Sequence, residues 1–507
     1  MLAKTESVAL IGTEARVVEV EVDVNLGLPA FRMVGLPAKS VTEAEQRVRS
    51  ALVASQQRWP MARITANLAP GGLRKEGTHF DLAISVGIVV ADGRMEAGGL
   101  DGWLMIGELA LDGTVRPVRG ALAAALACRD LGRKGLIVPN RNAVEASVVD
   151  GLRVVPVRTL KECIAFLSDQ WVPEPIESRA EPAPPEVPCI SEVRGQRRAK
   201  EALEIAAAGG HNLLLVGSPG SGKTMLAHRM PGILPAMTVD ESIEVTKIYS
   251  VAGLLSETAP LITHRPIRAP HHHVSTAGLI GGGIGLARPG EISLAHNGVL
   301  FLDEIALFRT DALDSLRGPV EDGYVRIARS GGVVRYPATF SLIAAMNPCP
   351  CGYRNDPRRP CGCTGQQLHH YNTRLSGPLL DRFDMEVKML CPTKDELLGK
   401  SEGESSEVVR ARVSKARDLQ RDRYGSHATN ASCSRRQLNR ALDLHKEAKA
   451  LLGDAVDRTM LTGRGLVRTM RVARTIADLA GSSSVDEEHI GRALGFRRRL
   501  TEVEAAA

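Results

Sequence analysis

The chain has 507 residues, which at roughly 100–200 residues per domain predicts three domains, give or take one. Hydrophobic residues at 44% and charged residues at 24% exclude wholesale disorder, and 64 Lys plus Arg against 58 Asp plus Glu leave +6, a mildly basic balance that permits nucleic acid as a partner without demanding it. Aromatics at 3% argue against a protein that grips bases by stacking, and nine Cys over this length do not make a disulfide framework.

The opening MLAKTESVALIGTEA has no apolar core behind a basic end, so no secretory leader is expected. The longest apolar stretch, near Leu82–Ala91, is too short to span a membrane, and a reduced, cytoplasmic protein is expected. Val18, Val20, Val22 and Val24 alternate with Glu19, Glu21 and Asp23, the period of a half-buried strand whose acidic face would repel DNA. Ser40 followed by Glu43 resembles a capping box and predicts a helix over Val41–Ser55. Strand and helix patterns then alternate, giving an α/β domain over 1–170. Residues 172–188 hold six prolines and no helical period, so 171–188 reads as an extended linker.

A second α/β domain is expected over 189–392. Its apolar runs His211–Val216, Gly298–Leu302 and Thr339–Met346 suit strands buried on both faces of a parallel sheet, where ligands bind beyond the carboxyl ends. Beyond the first run, Gly217, Ser218, Pro219, Gly220, Ser221, Gly222, Lys223 and Thr224 match GxxxxGK[ST] in full, between a strand and a helical pattern. Glycines there let backbone N–H groups turn around phosphate oxygens, Lys223 reaches the β/γ-phosphates, and the Thr224 hydroxyl ligates Mg²⁺. Full spacing and context favour nucleotide binding over a chance Gly-rich turn. The second run ends in Asp303 and Glu304: Asp303 can hold Mg²⁺ through water, and Glu304 can orient or deprotonate an attacking water. The third ends at Asn347, an amide able to position water near the γ-phosphate.

Cys349, Cys351, Cys361 and Cys363 place four thiols within fifteen residues, a set suited to structural, tetrahedral Zn²⁺, although the spacing is CxC rather than CxxC. Three consecutive histidines, His271–His273, point different ways on any regular backbone, so a structural or coupling role is expected there rather than a metal site. Gly323–Pro337 reads as a hairpin turning at Ser330-Gly331-Gly332 and carrying Arg326, Arg329 and Arg335, a basic arm able to track a phosphate backbone without reading sequence. From 393 to 507 strand patterns stop; Glu407–Arg423, Arg435–Leu452, Gly465–Ala480 and Asp486–Leu500 read as helices of a C-terminal helical domain.

The order phosphate loop, acidic strand, Asn strand resembles an AAA+ ATPase, with Walker A at 217–224, Walker B at 298–304 and sensor 1 at Asn347. Further stretches resemble the magnesium-chelatase-like branch of ComM/YifB type: Arg268-Ala-Pro-His-His-His, Gly281-Gly-Gly, Pro289-Gly-Glu-Ile-Ser-Leu-Ala-His296, Ala344-Ala-Met-Asn-Pro-Cys-Pro-Cys-Gly352, Leu375-Ser-Gly-Pro-Leu-Leu-Asp-Arg-Phe383 and Arg471-Val-Ala-Arg-Thr-Ile-Ala-Asp-Leu479. The resemblance implies a homo-oligomeric ring, a hexamer, with ATP sites between subunits. It puts Arg382 where relatives place an arginine finger, Arg464 at the sensor-2 position, the His stretch ahead of an insertion, and the basic hairpin towards a central pore, and it makes the C-terminal helical domain a lid. Residues 63–163 resemble the Lon protease domain fold (ribosomal S5 domain 2-like), anchored on Lys75-Glu-Gly-Thr-His-Phe-Asp81 and Gly107-Glu-Leu-Ala-Leu-Asp-Gly-Thr-Val-Arg-Pro-Val118. His79 and Leu122 stand where that protease needs its Ser and Lys, so proteolysis is not expected and a binding or assembly role is.

These readings converge on an ATP-driven ring motor acting on single-stranded or branched DNA, with branch-migration or helicase activity in recombination or natural transformation. The alternatives are the motor subunit of a magnesium chelatase and a general protein-remodelling ATPase.

Overall fold

The computed structural model describes residues 1–497 except 177–186, 257–259, 284–286, 330–331, 355, 358, 400–402, 426–427 and 460, so most of the Pro-rich stretch lies outside the described residues. Two sheets organise the chain. The first has seven strands in the order Ala30–Val34, Arg63–Ala69, Glu14–Asn25, Leu2–Ile11, Trp103–Met105, Gly135–Pro139, Val154–Val157. The alternation in Glu14–Asn25 works as period two requires: Val18, Val20 and Val22 are fully buried. Its acidic face is tempered by the neighbouring strand, where Lys4 bonds Glu19 at 2.9 Å and reaches Glu21 at 3.3 Å. Helix Asp81–Ala91, buried along its whole length, packs on the opposite face, with Thr5 Oγ1 donating to the Ala83 carbonyl at 3.0 Å.

The predicted capping box does not form. The helix begins earlier, at Lys39, because Ala38 is extended and its N–H donates to the Lys75 carbonyl at 2.9 Å. A break at Glu43 separates Lys39–Thr42 from Ala44–Ala54, and the Ser40 hydroxyl accepts from the Gly77 N–H instead of from its own helix.

The second sheet is parallel throughout, in the order Ile267–Arg268, Val299–Leu302, Ser341–Met346, Leu213–Gly217, Met385–Met389. The three apolar runs form its centre. Val216 pairs with Met346 and Leu302 with Ala344, so the residues following all three strands share one edge. Met385–Met389 alternates apolar and polar residues, the pattern of a half-buried edge strand.

The C-terminal region is helical: Ser406–Tyr424, Arg435–Ala441, Lys446–Thr459, Gly463–Leu479 and Glu487–Gly495. The predicted continuous helix from Arg435 to Leu452 is interrupted because Leu444 bridges Val485, whose N–H donates to the Asp443 carbonyl at 2.8 Å. A long-range backbone pairing there overrides local helical preference. These helices share one core with helix Arg197–Gly209 and the second sheet, through Leu203, Phe301, Val413, Val472 and Ile490. The Arg474 guanidinium lies within that region and is compensated by Asp478 at 2.9 Å and by the Ser483 carbonyl. Among the described residues no helix is long and apolar enough to cross a membrane.

Candidate nucleotide site and its surroundings

The loop after Leu213–Gly217 turns through Gly220 (φ +78°) and Gly222 (φ +89°), left-handed positions that favour glycine. A helix opens at Lys223, and the amides of a first helical turn have no partner within the helix. Ser221 Oγ is buried without a hydrogen-bond partner among the described residues, an orphaned polar atom inside the loop. Lys223 Nζ bonds the carbonyls of Gly217 (2.7 Å) and Ser218 (3.0 Å) and Asn347 Oδ1 (3.1 Å). Burial lowers its pKa, and the charges of Asp303, Cys391 and Glu304 pull it back.

Thr224 Oγ1 donates to Asp303 Oδ2 at 2.6 Å. A hydroxyl and a carboxylate so close, beside a buried ammonium, make a donor set that fits a hard divalent cation bridged to phosphate. Glu304 is exposed and holds φ +50°, a costly conformation for a residue with a side chain, and its N–H donates to Asp303 Oδ1 at 2.9 Å. The structure therefore groups Lys223, Thr224, Asp303 and Asn347 through two hydrogen bonds, Lys223–Asn347 and Thr224–Asp303, on adjacent residues of the loop helix, with Glu304 at the rim.

Arg382 and Arg464 are not in that group. The Arg382 carbonyl accepts from Asn212 Nδ2 at 3.0 Å, just before the first residue of strand Leu213–Gly217 and so at the end of the sheet away from the loop. Its guanidinium pairs with Glu321 at 2.9 Å. Arg464 is exposed in the first turn of Gly463–Leu479. The arginines crowding the same helix are engaged within the chain: Arg468 with Asp384 (3.4 Å), Arg471 with the Cys433 carbonyl (2.5 Å) and Arg474 with Asp478.

The hairpin pairs Tyr324–Arg329 with Gly332–Pro337. Ser330 and Gly331 of its turn lie outside the described residues, as does the side chain of Arg329. Arg326 and Arg335 are directly opposed, and both stack on Tyr324, at 4.9 and 3.6 Å from the ring centroid. The π face offsets the repulsion between facing cations. Tyr336 on the other face is fully buried. The sequence reading missed both tyrosines; the signal was their place in a basic β-rich run.

The four cysteines converge. Cys349 and Cys351 Sγ are 3.3 Å apart, Cys349 and Cys361 3.7 Å, Cys351 and Cys361 3.6 Å, and all four sulfurs lie within 4.8 Å of one another. Zn–S bonds of about 2.3 Å in a tetrahedron place sulfurs about 3.8 Å apart, so the set fits zinc. Amides support the sulfurs: Arg354 N–H donates to Cys349 (3.3 Å) and Cys351 N–H to Cys363 (3.4 Å).

The expected divergence of the three histidine rings is corrected. The ring nitrogens of His271–His273 come within 4.8 Å of one another, because the backbone there is a tight turn closed by Val274 N–H to the His271 carbonyl, not a regular element. The cluster is largely exposed and sits at the loop edge of the sheet, with His272 against Phe308.

In the N-terminal part, His79 and Leu122 are core residues. His79 Nε2 lies 2.6 Å from the Val8 carbonyl, which requires the ring N–H to donate, and burial lowers its pKa to about 4. The unfolded value is about 6.5, so the unfolded chain binds the extra proton first as pH falls. Stability should drop by about 3 kcal/mol between pH 6.5 and 4 from this group alone. Urea midpoints across that window check it, and the slope should flatten in His79→Gln, which keeps an N–H for Val8.

A parallel sheet carrying this loop, this carboxylate pair and this amide at one edge, with helices following, defines an AAA+ α/β protein. The family described as magnesium chelatase, subunit ChlI, matches residues 189–397; subunit ChlI of Mg-chelatase matches 20–142, and the ChlI C-terminal family 403–497. The chain is 44% identical over 499 residues to an uncharacterized protein of Mycobacterium tuberculosis, covering 98% of this chain and 99% of that one. It is 41% identical over 504 residues to the competence protein ComM of Haemophilus influenzae (98% and 97% covered) and 40% identical over 495 residues to YifB of Escherichia coli (96% of each). The chain belongs to the ComM/YifB type of magnesium-chelatase-like AAA+ proteins, a family that implies ATP and Mg²⁺.

Proposed function

We propose that this protein hydrolyses ATP as a ring of identical subunits and uses the energy to move along DNA, single-stranded or branched. The observation that carries the first half is the pair of hydrogen bonds Lys223–Asn347 and Thr224–Asp303 side by side at one sheet edge. In this reading Lys223 holds the β/γ-phosphates, Thr224 and Asp303 hold the metal, Asn347 and Glu304 orient the attacking water, and Glu304 takes its proton. Bound Mg²⁺ would neutralise charge building on the phosphates. Arg382 serves the neighbouring subunit's ATP, and Arg464 reports nucleotide to the C-terminal helices. The division at 1–170, 171–188, 189–392 and 393–507 belongs to the same proposal, with the first part serving binding or assembly and the four cysteines holding structural zinc.

The DNA half rests on Arg326 and Arg335, which are opposed on one hairpin and stacked on a tyrosine. Such cations track phosphates without reading bases. The test is the ATPase rate with and without single-stranded or branched DNA. Stimulation is expected, and Arg326→Ala with Arg335→Ala should weaken single-strand binding and lower the slope of log K against log salt by about 1.4, roughly 0.7 per lost phosphate contact. A rate indifferent to DNA, with no binding at low salt, refutes this half. It would favour the second reading, a motor for metal insertion into a tetrapyrrole, which the magnesium chelatase families matching 20–142, 189–397 and 403–497 support.

A further inference from the structure

The turn built by the four cysteines lies against the phosphate loop. Cys351 leads into Gly352, which holds φ +86°; a Cβ at that position would stand 2.7 Å from Pro219 Cδ and 2.8 Å from its Cγ. Only a glycine lets this turn rest on the loop's proline. A second connection runs through helix Gly365–Thr373, whose N-cap Thr364 directly follows Cys363. From that helix Tyr371 donates its hydroxyl to the Asn347 carbonyl at 3.1 Å, and Asn347 Oδ1 in turn accepts from Lys223 Nζ at 3.1 Å. Both arms leave the thiols and end on residues of the candidate nucleotide site. Between the two cysteine pairs, the sequence from Tyr353 to Pro360 is polar, and Arg359 lies over the Tyr353 ring. A metal held by the four thiolates would fix the turn from which both arms start.

We propose that metal binding at Cys349, Cys351, Cys361 and Cys363 and nucleotide binding at 217–224 are linked, the closed knuckle setting Pro219 and Asn347 so that each ligand tightens the other. The inference rests on the nucleotide and zinc readings above and adds a coupling between them. Linkage is reciprocal: whatever factor zinc contributes to nucleotide affinity, nucleotide must contribute to zinc affinity.

The test uses the full chain, reduced, in excess magnesium. Zinc affinity is measured against a zinc-selective competing chelator with and without a non-hydrolysable ATP analogue. Analogue affinity is measured by fluorescence with and without zinc. Both ratios should be equal and at least about fivefold, the lower end of ordinary coupling. Should the metal-free chain prove unfolded by circular dichroism, analogue affinity is compared between the zinc-loaded parent and zinc-loaded Tyr371→Phe; weaker binding by the variant is expected, and equal affinity overturns the coupling. Tyr371→Phe touches neither ligand; it should still take up one zinc per chain and bind the analogue, with a smaller ratio. A ratio within twofold of one, with both ligands bound, overturns the coupling and leaves the two site readings standing. Failure to take up about one zinc per chain overturns the metal reading and the coupling with it; zinc uptake without analogue binding overturns the nucleotide reading and, again, the coupling.

Discussion

Glu304→Gln should bind ATP with nearly unchanged affinity and hydrolyse it at least about 100-fold more slowly, since a positioned general base contributes about 10²–10⁴-fold. That is about 3–5 kcal/mol of barrier. The substitution preserves size and leaves the Thr224–Asp303 bond and the Lys223 contacts untouched, because Glu304 takes no part in them. It also preserves φ +50°, so the backbone that aims the side chain is unchanged. Glu304→Gly separates strain from chemistry: glycine accepts that φ without cost, so the variant should be at least as stable as the parent and equally inactive. Single-turnover hydrolysis, with analogue binding measured in parallel, reads both. Hydrolysis near the parent rate in Glu304→Gln would refute the assignment, and loss of nucleotide binding would mean that the carboxylate is structural.

Much of this was legible in the sequence, for reasons tied to the range of the interactions involved. The phosphate loop, the three buried strands and the cysteine pairs each depend on contiguous residues, and each stands where spacing put it. What local reasoning lost was set from far away. The helix starting at Arg435 stops because Val485, some forty residues on, pairs with Leu444. The capping box at Ser40 is overridden by the Lys75 carbonyl. The histidines converge because their backbone turns, whereas divergence was inferred from regular geometry. The burial of Arg382 and its pairing with Glu321 link residues about sixty apart that no motif connects. The edge strand Met385–Met389 did carry its signal, a clean apolar–polar alternation, which was overlooked beside the longer apolar runs.

Arg382→Ala should reduce ATP turnover by about 10³-fold or more, the usual cost of removing an arginine that stabilises charge on a transferring phosphoryl group. The structure also supplies the competing explanation, a stabilising pair with Glu321, and lets the two be separated. Arg382 is only 10% exposed but Glu321 is 52% exposed, so the pair is half in water and contributes on the order of 1 kcal/mol at most. Truncation should therefore move the melting temperature by only a few degrees, and Glu321→Ala should match that shift while keeping most of the turnover. The Nε and Nη1 atoms of Arg382 are buried without a partner among the described residues, so the guanidinium has unused donors. Its backbone sits at the end of the sheet away from its own loop, and the role the family resemblance implies is toward a neighbour's ATP. Mixing decides the matter: Arg382→Ala subunits keep an intact loop, and Lys223→Ala subunits keep an intact arginine. If the arginine works across the subunit boundary, the mixture should regain turnover that neither variant has alone. If both variants stay dead when mixed, though they co-assemble by light scattering, Arg382 acts within its own chain.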